Sequence, residues 1–220
     1  IRLTGRVQGT DITSEARVRP SGAATLVDLK TLALAKDAVR ANLAGPAKIE
    51  IAGSDVAIDN FVLVTAKGRA AVSGRAGQDR LALDVKLAAL PLSLARLAGY
   101  EGELNGTLEG SIKVAGSPKA PTGQYDIKIS GLSNPDIVRS GAGPFDITLN
   151  GDLRDQRALI DMAIRNPQIQ DARVTGSISL VQLALDLKAT GGGQLSLANP
   201  MLAASGNRLA GKAQVDVAGT

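Results

Sequence analysis

The residues of this chain with the most chemical potential are aspartates, which cluster at two places. Asp152, Asp155 and Asp161 lie close together in the sequence, and so do Asp55 and Asp59. Paired carboxylates can hydrolyse a sugar, but such a pair needs a defined separation across a cleft. Nothing in this spacing sets that separation, and aromatic side chains that could stack on a sugar make up only 2% of the chain. We therefore interpret these aspartates as solvated turn residues.

Composition excludes several other kinds of chemistry. The sequence contains no His and no Cys, which removes imidazole bases, thiolate metal sites and disulfides. The glycines at 191–193 lack the Lys-Ser/Thr of a phosphate-binding loop, so we expect a turn there. The net charge of +4 comes from interspersed charges, which is typical of a solvated surface. The sequence therefore predicts a non-enzymatic protein without metal, cofactor or nucleic-acid partner.

The elements that hold these residues are predicted by alternating polarity. The stretch ELNGTLEGSIKVAG, residues 103–116, puts apolar residues and Gly at even positions and mostly polar residues at odd positions. A period of two is typical of a strand with one apolar face. The same alternation recurs at 81–87, 125–130 and 145–150 and further along the chain. In the first third we expect strands at 2–8, 12–19, 24–29, 31–35, 38–43, 47–52, 56–65 and 69–74.

Turn signals separate these runs, and one segment has a different period. Gly-Pro and Gly-Ser pairs mark frequent short links, which together with the many strands indicate an all-β chain. Residues 90–99 place Leu90, Leu94 and Leu97 at helical spacing. Pro91 suits the first turn and Gly99 the end, so we expect a helix of about two turns. Residues 35–43 fit a helix or a strand, with a slight preference for a strand.

The apolar faces of these strands need a cover, and the sequence leaves the choice open. A second sheet could cover them, but glycines at 106, 110, 131, 151 and 176 fall on the apolar side, where a core needs volume. The alternative is a strongly curved, U-shaped and mostly antiparallel sheet whose apolar concave groove is completed by acyl chains. On residue chemistry alone, a packed sandwich or solenoid core is at least as well supported.

The groove hypothesis names its residues. We expect Leu90, Leu94 and Leu97 of the helix to cap a sheet end rather than to gate the groove. The predicted lining is Leu81, Leu83, Val85, Leu87, Leu104, Leu108, Ile112, Val114, Ile127, Ile129, Ile147, Leu149, Ile160, Met162, Ile164, Ile178, Leu180, Leu183, Leu185 and Leu187.

A family resemblance favours the groove. The run LPLSLARLAGYEGELNGTLEGSIKVAGSPKAPTGQYDIKISGL, residues 90–132, resembles the C-terminal region of the TamB family of AsmA-like proteins of the Gram-negative envelope. The shared elements are a Leu-Pro-Leu short helix, a G-x-L-x-G-x-(L/I)-x-G strand and a Gly-(Ser/Thr)-Pro-x-x-Pro connection. GPFDITLNGDL, DARVTGSISL and GGGQLSLANPMLAASGNRLAGKAQV extend the likeness, which is good over 80–217 and weaker over 1–79.

The resemblance implies a function and a location. Proteins of this family have an anchor in the inner membrane and span the periplasm to TamA, an Omp85-type outer-membrane barrel. Their aliphatic β-groove is implicated in moving phospholipid to the outer membrane and in assembling outer-membrane proteins. By this likeness, residues 1–220 are expected to form a single β-groove segment of a longer chain, with a seam at 90–99 as the likeliest internal boundary.

Three alternatives remain open at this stage. A structural or adhesive β-solenoid would show a filled core and stacked, nearly equal coils. A chaperone would pair its exposed edge strands with unfolded outer-membrane strands. An enzyme built on a β-helix is the remaining class. Unpaired edges would also permit edge-to-edge self-association of the segment.

Overall fold

In the residues that the structure describes, the chain forms one antiparallel sheet of fifteen strands. The computed structural model describes residues 1–181, 184–194, 208 and 210–219, without the side chains of residues 170 and 171. Each strand pairs with the next in sequence, except that β4 and β5 together occupy one edge of β3 and then pair with β6. The strands are β1 Arg2–Val7, β2 Thr10–Ser21, β3 Ala24–Lys36, β4 Val39–Leu43, β5 Ala47–Ala52, β6 Asp55–Val64, β7 Arg69–Ala76, β8 Leu81–Pro91, β9 Asn105–Ser117, β10 Ala120–Ser133, β11 Phe145–Arg154, β12 Arg157–Asn166, β13 Ile169–Ser179, β14 Leu185–Gln194 and β15 Lys212–Gly219.

The predicted all-β, antiparallel class is confirmed, and so are most strand positions. Two predicted strands, 24–29 and 31–35, are one strand, β3, whose pairing with β2 shifts register between Glu15 and Ala16. The ambiguous segment 35–43 is the end of β3, a turn and β4. A meander of neighbouring hairpins differs from the stacked coils that a solenoid requires.

The prediction for the glycines at 191–193 is wrong. These glycines lie inside β14 and pair with Val215, Gln214 and Ala213 of β15. A strand tolerates Gly where a neighbouring backbone comes close, and turn propensity alone does not reveal this. The helix α1, Pro135–Arg139, was not predicted, although Asn134 is a good N-cap and its side chain accepts a hydrogen bond from the backbone of Ile137.

The predicted helix at 90–99 exists as a 3₁₀ helix, Leu92–Ala98, which we name the cap helix. Pro91 ends β8 and serves as the N-cap residue, so its predicted place in the first turn is wrong. Gly99 ends the helix in the left-handed conformation, with φ at 92°. That conformation suits Gly because no Cβ meets the following carbonyl.

The cap helix shows that the sheet bends. It starts directly after β8, and the carbonyl of Leu97 accepts a hydrogen bond of 3.0 Å from the hydroxyl of Thr10 in β2. Five strand spacings separate β8 from β2, which is about 24 Å in a flat sheet. Six residues of 3₁₀ helix span only about 12 Å. The sheet therefore curves between β2 and β8, and the full U-shaped profile stays a prediction.

Gly110, in the middle of β9, permits a close approach that other residues do not. Its φ is 152°, and a Cβ at this position would collide with the carbonyl of Asp126 in β10. Gly176 in β13 has the same conformation and meets the carbonyl of Asp186 in β14. Glycines of this kind let a sheet kink and coil within a strand.

The sheet is a single layer over most of its area. The accessible surface is 13599 Å², whereas a compact protein of this length has roughly 9,500 Å². Among the described residues, only Ala41, Ala47, Leu90 and Ala142 are buried apolar residues. The described part of the chain shows no second sheet packed on the first, so the packed sandwich does not describe this fold.

We expect Gly110→Ala to lower the free energy of unfolding by about 1–3 kcal/mol, because the new Cβ strains φ and meets the β10 backbone. Gly5→Ala in β1 is the matched control, since a Cβ there meets nothing within 4 Å. Urea denaturation of both variants measures the difference. Equal stabilities would show that β9 relaxes without cost at Gly110.

Candidate functional site

The register places most of the predicted lining on one side of the sheet, which we call the apolar face. Because directly paired residues in an antiparallel ladder point to the same side, the ladders can be followed across the sheet. One row consists of Val27, Ile49, Ile58, Gly74, Leu83, Val114, Gly123, Leu153, Ala158, Ile178 and Leu185. A parallel row consists of Leu43, Leu63, Ala70, Leu87, Gly110, Ile127, Leu149, Met162, Val174, Ala189 and Val217.

Further rows complete the face near the strand ends and centres. One further row consists of Leu90, Leu108, Ile129, Ile147 and Ile164. Val85 pairs with Ile112, which pairs with Tyr125, and Ile160 and Leu187 both pair with Gly176. Leu81 pairs with Gly116 at the far end of β8. These rows bring together the predicted residues that lie in strands.

Three predicted residues lie outside the ladders. Leu104 precedes β9 and is half-buried. Leu180 lies in the turn after β13 and is 38% exposed. Leu183 lies outside the described residues.

The apolar face extends into the first third of the chain, where sequence reasoning assigned no lining residues. Val27, Ile49, Ile58 and Leu63 belong to the rows already described. Their phase was hidden because the register shifts in the β2–β3 pair and again between Ile58 and Phe61. After a bulge, every later side chain of the strand lies on the face opposite to the one that strict alternation assigns to it. When the alternation is counted separately before and after each bulge, it assigns these residues to the apolar face.

The cap helix covers one part of the apolar face, and the loop at 141–144 buries another part at Asn166. Leu90, 7% exposed, and Ala41, 2% exposed, lie at this end of the face, as do Thr10 and Lys36. Leu94 and Leu97 of the cap helix are half-buried. The helix contacts β3, β4 and β9. The helix therefore lies against these strands, and its capping role stays a prediction.

Polar contacts fasten the C-terminal end of the cap helix, and we call them the latch. Lys36 Nζ donates to the carbonyl of Gln8 and to Glu101 Oε1, each at 3.0 Å. Arg96 Nη2 donates to Asp37 Oδ2 at 2.7 Å. The Thr10 hydroxyl donates to the Leu97 carbonyl, as described above. The latch therefore joins the segment that follows β8 to the tips of the β1–β2 and β3–β4 hairpins.

Tyr125 fills a gap in the apolar face that sequence reasoning missed. The β11–β12 ladder is paired at Asn150 and again at Leu153. Between these pairs the Tyr125 hydroxyl donates to the carbonyl of Leu159 at 2.6 Å. A Cβ at Gly151 would collide with this hydroxyl, so the ring occupies the space that Gly151 leaves. Burial, and then the Asp152 carboxylate, raise the pKa of Tyr125 above its ordinary value.

The opposite side of the sheet, which we call the polar face, is charged. One row consists of Lys86, Ser111, Asp126, Asn150, Asp161, Thr175 and Lys188. Asp161 accepts hydrogen bonds from the Arg173 guanidinium, with 2.8 Å to Nε, and this hydrogen bonding lowers the pKa of the carboxyl. Most of the predicted turn aspartates lie in strands instead. Asp155 alone of the five is a turn residue.

The carboxylates of the polar face lie beside shallow concavities. Among the described residues there is no group of three or more acidic side chains that could hold a metal ion. The concavity of about 400 Å³ beside Tyr125 contains Asp126, Asp152 and Asp161 at its edges. A larger one, of about 830 Å³, lies between β14 and β15 at Thr190–Gly193 and Lys212–Asp216. Neither is an enclosed site on the apolar face, which is broad and open.

Comparison of the chain with protein-family models, curated proteins and solved structures found no match. The resemblance to the TamB family therefore stays a prediction from the quoted motifs. In the described part of the chain no helix has the length and apolarity needed to cross a membrane.

We expect Tyr125→Phe to lower the free energy of unfolding by about 1 kcal/mol at neutral pH, because the Leu159 carbonyl loses its donor. In the wild type, the neutral Tyr125 hydroxyl stabilises the fold at pH values below its ordinary pKa of about 10. Because the pKa is raised in the folded state, this contribution is lost as the pH rises above about 10. Urea titrations at neutral and alkaline pH measure the difference. Tyr100→Phe, at an exposed ring, is the control. Equal losses of unfolding free energy in both variants would contradict the hydrogen bond from Tyr125 to the Leu159 carbonyl as the cause.

Proposed function

We propose that the chain is a non-enzymatic protein whose apolar face binds the acyl chains of phospholipids in a groove. The observation that carries this proposal is the continuity of the face. Rows of aliphatic side chains cross the sheet, and among the described residues the chain buries parts of this face at the cap helix and at Asn166, while most of the face has no cover. A soluble protein rarely leaves so large an apolar surface without a binding role.

The energetics favour hydrocarbon as the missing cover. Each buried methylene is worth about 0.8 kcal/mol, so a chain of about 16 carbons has on the order of 12 kcal/mol available before the cost of association. The face offers Leu, Ile and Val with hardly any polar anchor. Such a wall holds a chain without fixing its position along the groove. Sliding is therefore easier than fixed storage, while the headgroup stays in water.

The polar face and the family resemblance support the proposed location of the chain in the periplasm. Ion pairs such as Arg173–Asp161 and Arg19–Asp28 keep that face solvated. By resemblance to the TamB family, we place the chain in the periplasm as part of a longer, inner-membrane-anchored protein. Its partner there would be a TamA-like barrel of the Omp85 type. In this setting the groove carries phospholipid between the two membranes and supports outer-membrane protein assembly.

Adjacent residues on opposite faces test the proposal. We expect Ile127→Gln to weaken uptake of a fluorescent fatty acid about tenfold, because an amide replaces an aliphatic contact with the chain. Lys128→Gln, one residue along on the polar face, should leave uptake unchanged. Denaturation curves confirm that both variants fold. If native mass spectrometry shows no bound phospholipid and the wild type takes up no fatty acid, the proposal fails.

A second candidate function is the binding of extended peptide strands at the free edge of β1. All six residues of β1 are exposed, including Leu3 and Val7. The backbone of Ala16 donates to the carbonyl of Ile1, so alternate residues of β1, among them Leu3, bond inward to β2. The N–H groups of Arg2, Thr4 and Arg6 therefore point outward and can pair with an added strand.

Proline at these positions separates the two functions. We expect Thr4→Pro to abolish binding of an unfolded outer-membrane strand peptide while fatty-acid uptake persists, because only an outward N–H is lost. Leu3→Pro removes an inward bond and should destabilise β1 as well. Peptide binding measured by fluorescence anisotropy distinguishes them. Unchanged peptide binding in Thr4→Pro would exclude this edge.

A further inference from the structure

The cap helix ends the apolar face at one side, and its fastening is weak. No residue of the helix is buried, and no side chain caps its N-terminus. The latch residues Glu101 and Asp37 are 82% and 61% exposed at their side chains. Ion pairs with such exposed partners contribute little stability. In the part of the chain that the structure describes, Arg96 Nε is buried without a hydrogen-bond partner, so the latch is also incompletely satisfied.

The chain also has hinge positions on both sides of the helix. Ala89, with φ at 46°, lies at the register shift between Leu87 and Leu90 just before it. Gly99, with φ at 92°, follows it directly. Short 3₁₀ helices have poorer hydrogen-bond geometry than α-helices and often serve as connectors. Segments with few buried contacts open at low cost compared with a sheet.

We propose that the cap helix is a displaceable stop that sets how long an acyl chain the apolar face accommodates. This inference rests on the proposed function and refines its ligand. With the latch closed, a chain lying on the face ends against Leu94 and Leu97. With the latch open, the apolar surface around Leu90 and Ala41 becomes available, and longer chains gain contact there.

A disulfide across the latch tests this directly, since the natural sequence has no Cys. The Cβ of Gln8 lies 3.6 Å from the position of a Cβ at Gly99, which suits a disulfide. The variant Gln8→Cys/Gly99→Cys therefore locks the helix when oxidised. The strain of a side chain at Gly99 is present in both redox states, so the reduced form of the same protein is the matched control.

The readout is fatty-acid affinity as a function of chain length, measured for saturated chains from about eight to about eighteen carbons. While a chain still gains contact, each methylene strengthens binding about fourfold. We expect this rise to stop at a shorter chain in the oxidised protein than in the reduced protein. The same stopping point in both forms would overturn the displaceable stop. Affinity that does not rise with length in either form would instead overturn the lipid groove itself.

Loosening the latch gives an independent measurement in the otherwise natural chain. Asp37→Asn combined with Glu101→Gln removes both acceptor charges, and we expect long chains to bind several-fold tighter while short chains bind as before. Asp161→Asn, which breaks an ion pair on the polar face, is the control and should change neither. If the latch variant binds long chains no better than this control, the proposal is wrong.

Discussion

The structure depends on one constraint: a sheet with an apolar face must cover that face or find a partner that does. In most domains a second layer from the same chain meets this requirement. Here the described chain commits most of its residues to one sheet, and only the cap helix and the loop over Asn166 bury parts of the apolar face among the described residues. The same constraint explains the large accessible surface and the small number of buried apolar side chains among the described residues. It is also the reason for which we propose a hydrocarbon ligand as the missing cover.

Much of this fold is predictable because the sheet is built from local hairpins. Each strand pairs with its sequence neighbour, so alternation and turn signals are enough to place most strands. The predictions of which residues face the apolar side fail where one extra residue shifts the alternation of apolar and polar positions. The bulges near Glu15 and Ile58 hid the apolar residues of the first third, and a simple count of two cannot follow a register shift. The glycines of β14 misled the prediction because their backbone pairing with β15 depends on a strand further along the chain.

The apolar chemistry of the candidate site was predictable, but the contacts that cover parts of it were not. The aliphatic residues of β8 to β14 were predicted as one surface, and the ladders bring most of them together. The latch was not predictable, because its contacts join residues 87, 65 and 59 positions apart in sequence. Nor did any pattern reveal that the Tyr125 ring would fill the place left by Gly151. Such contacts depend on how the sheet bends, which alternation does not specify.

The near-absence of aromatic residues completes this argument. Large rings add contact area to a core but also create ridges, whereas Leu, Ile, Val and Ala give a smooth wall. A smooth wall suits a ligand that must move along it. A ligand that binds only the folded state also stabilises that state, by an amount that grows with its concentration relative to its dissociation constant. Under the proposed function this linkage is strong, because the lipid would replace a missing half of the core. Folding and lipid binding are therefore expected to be two measures of the same apolar contact.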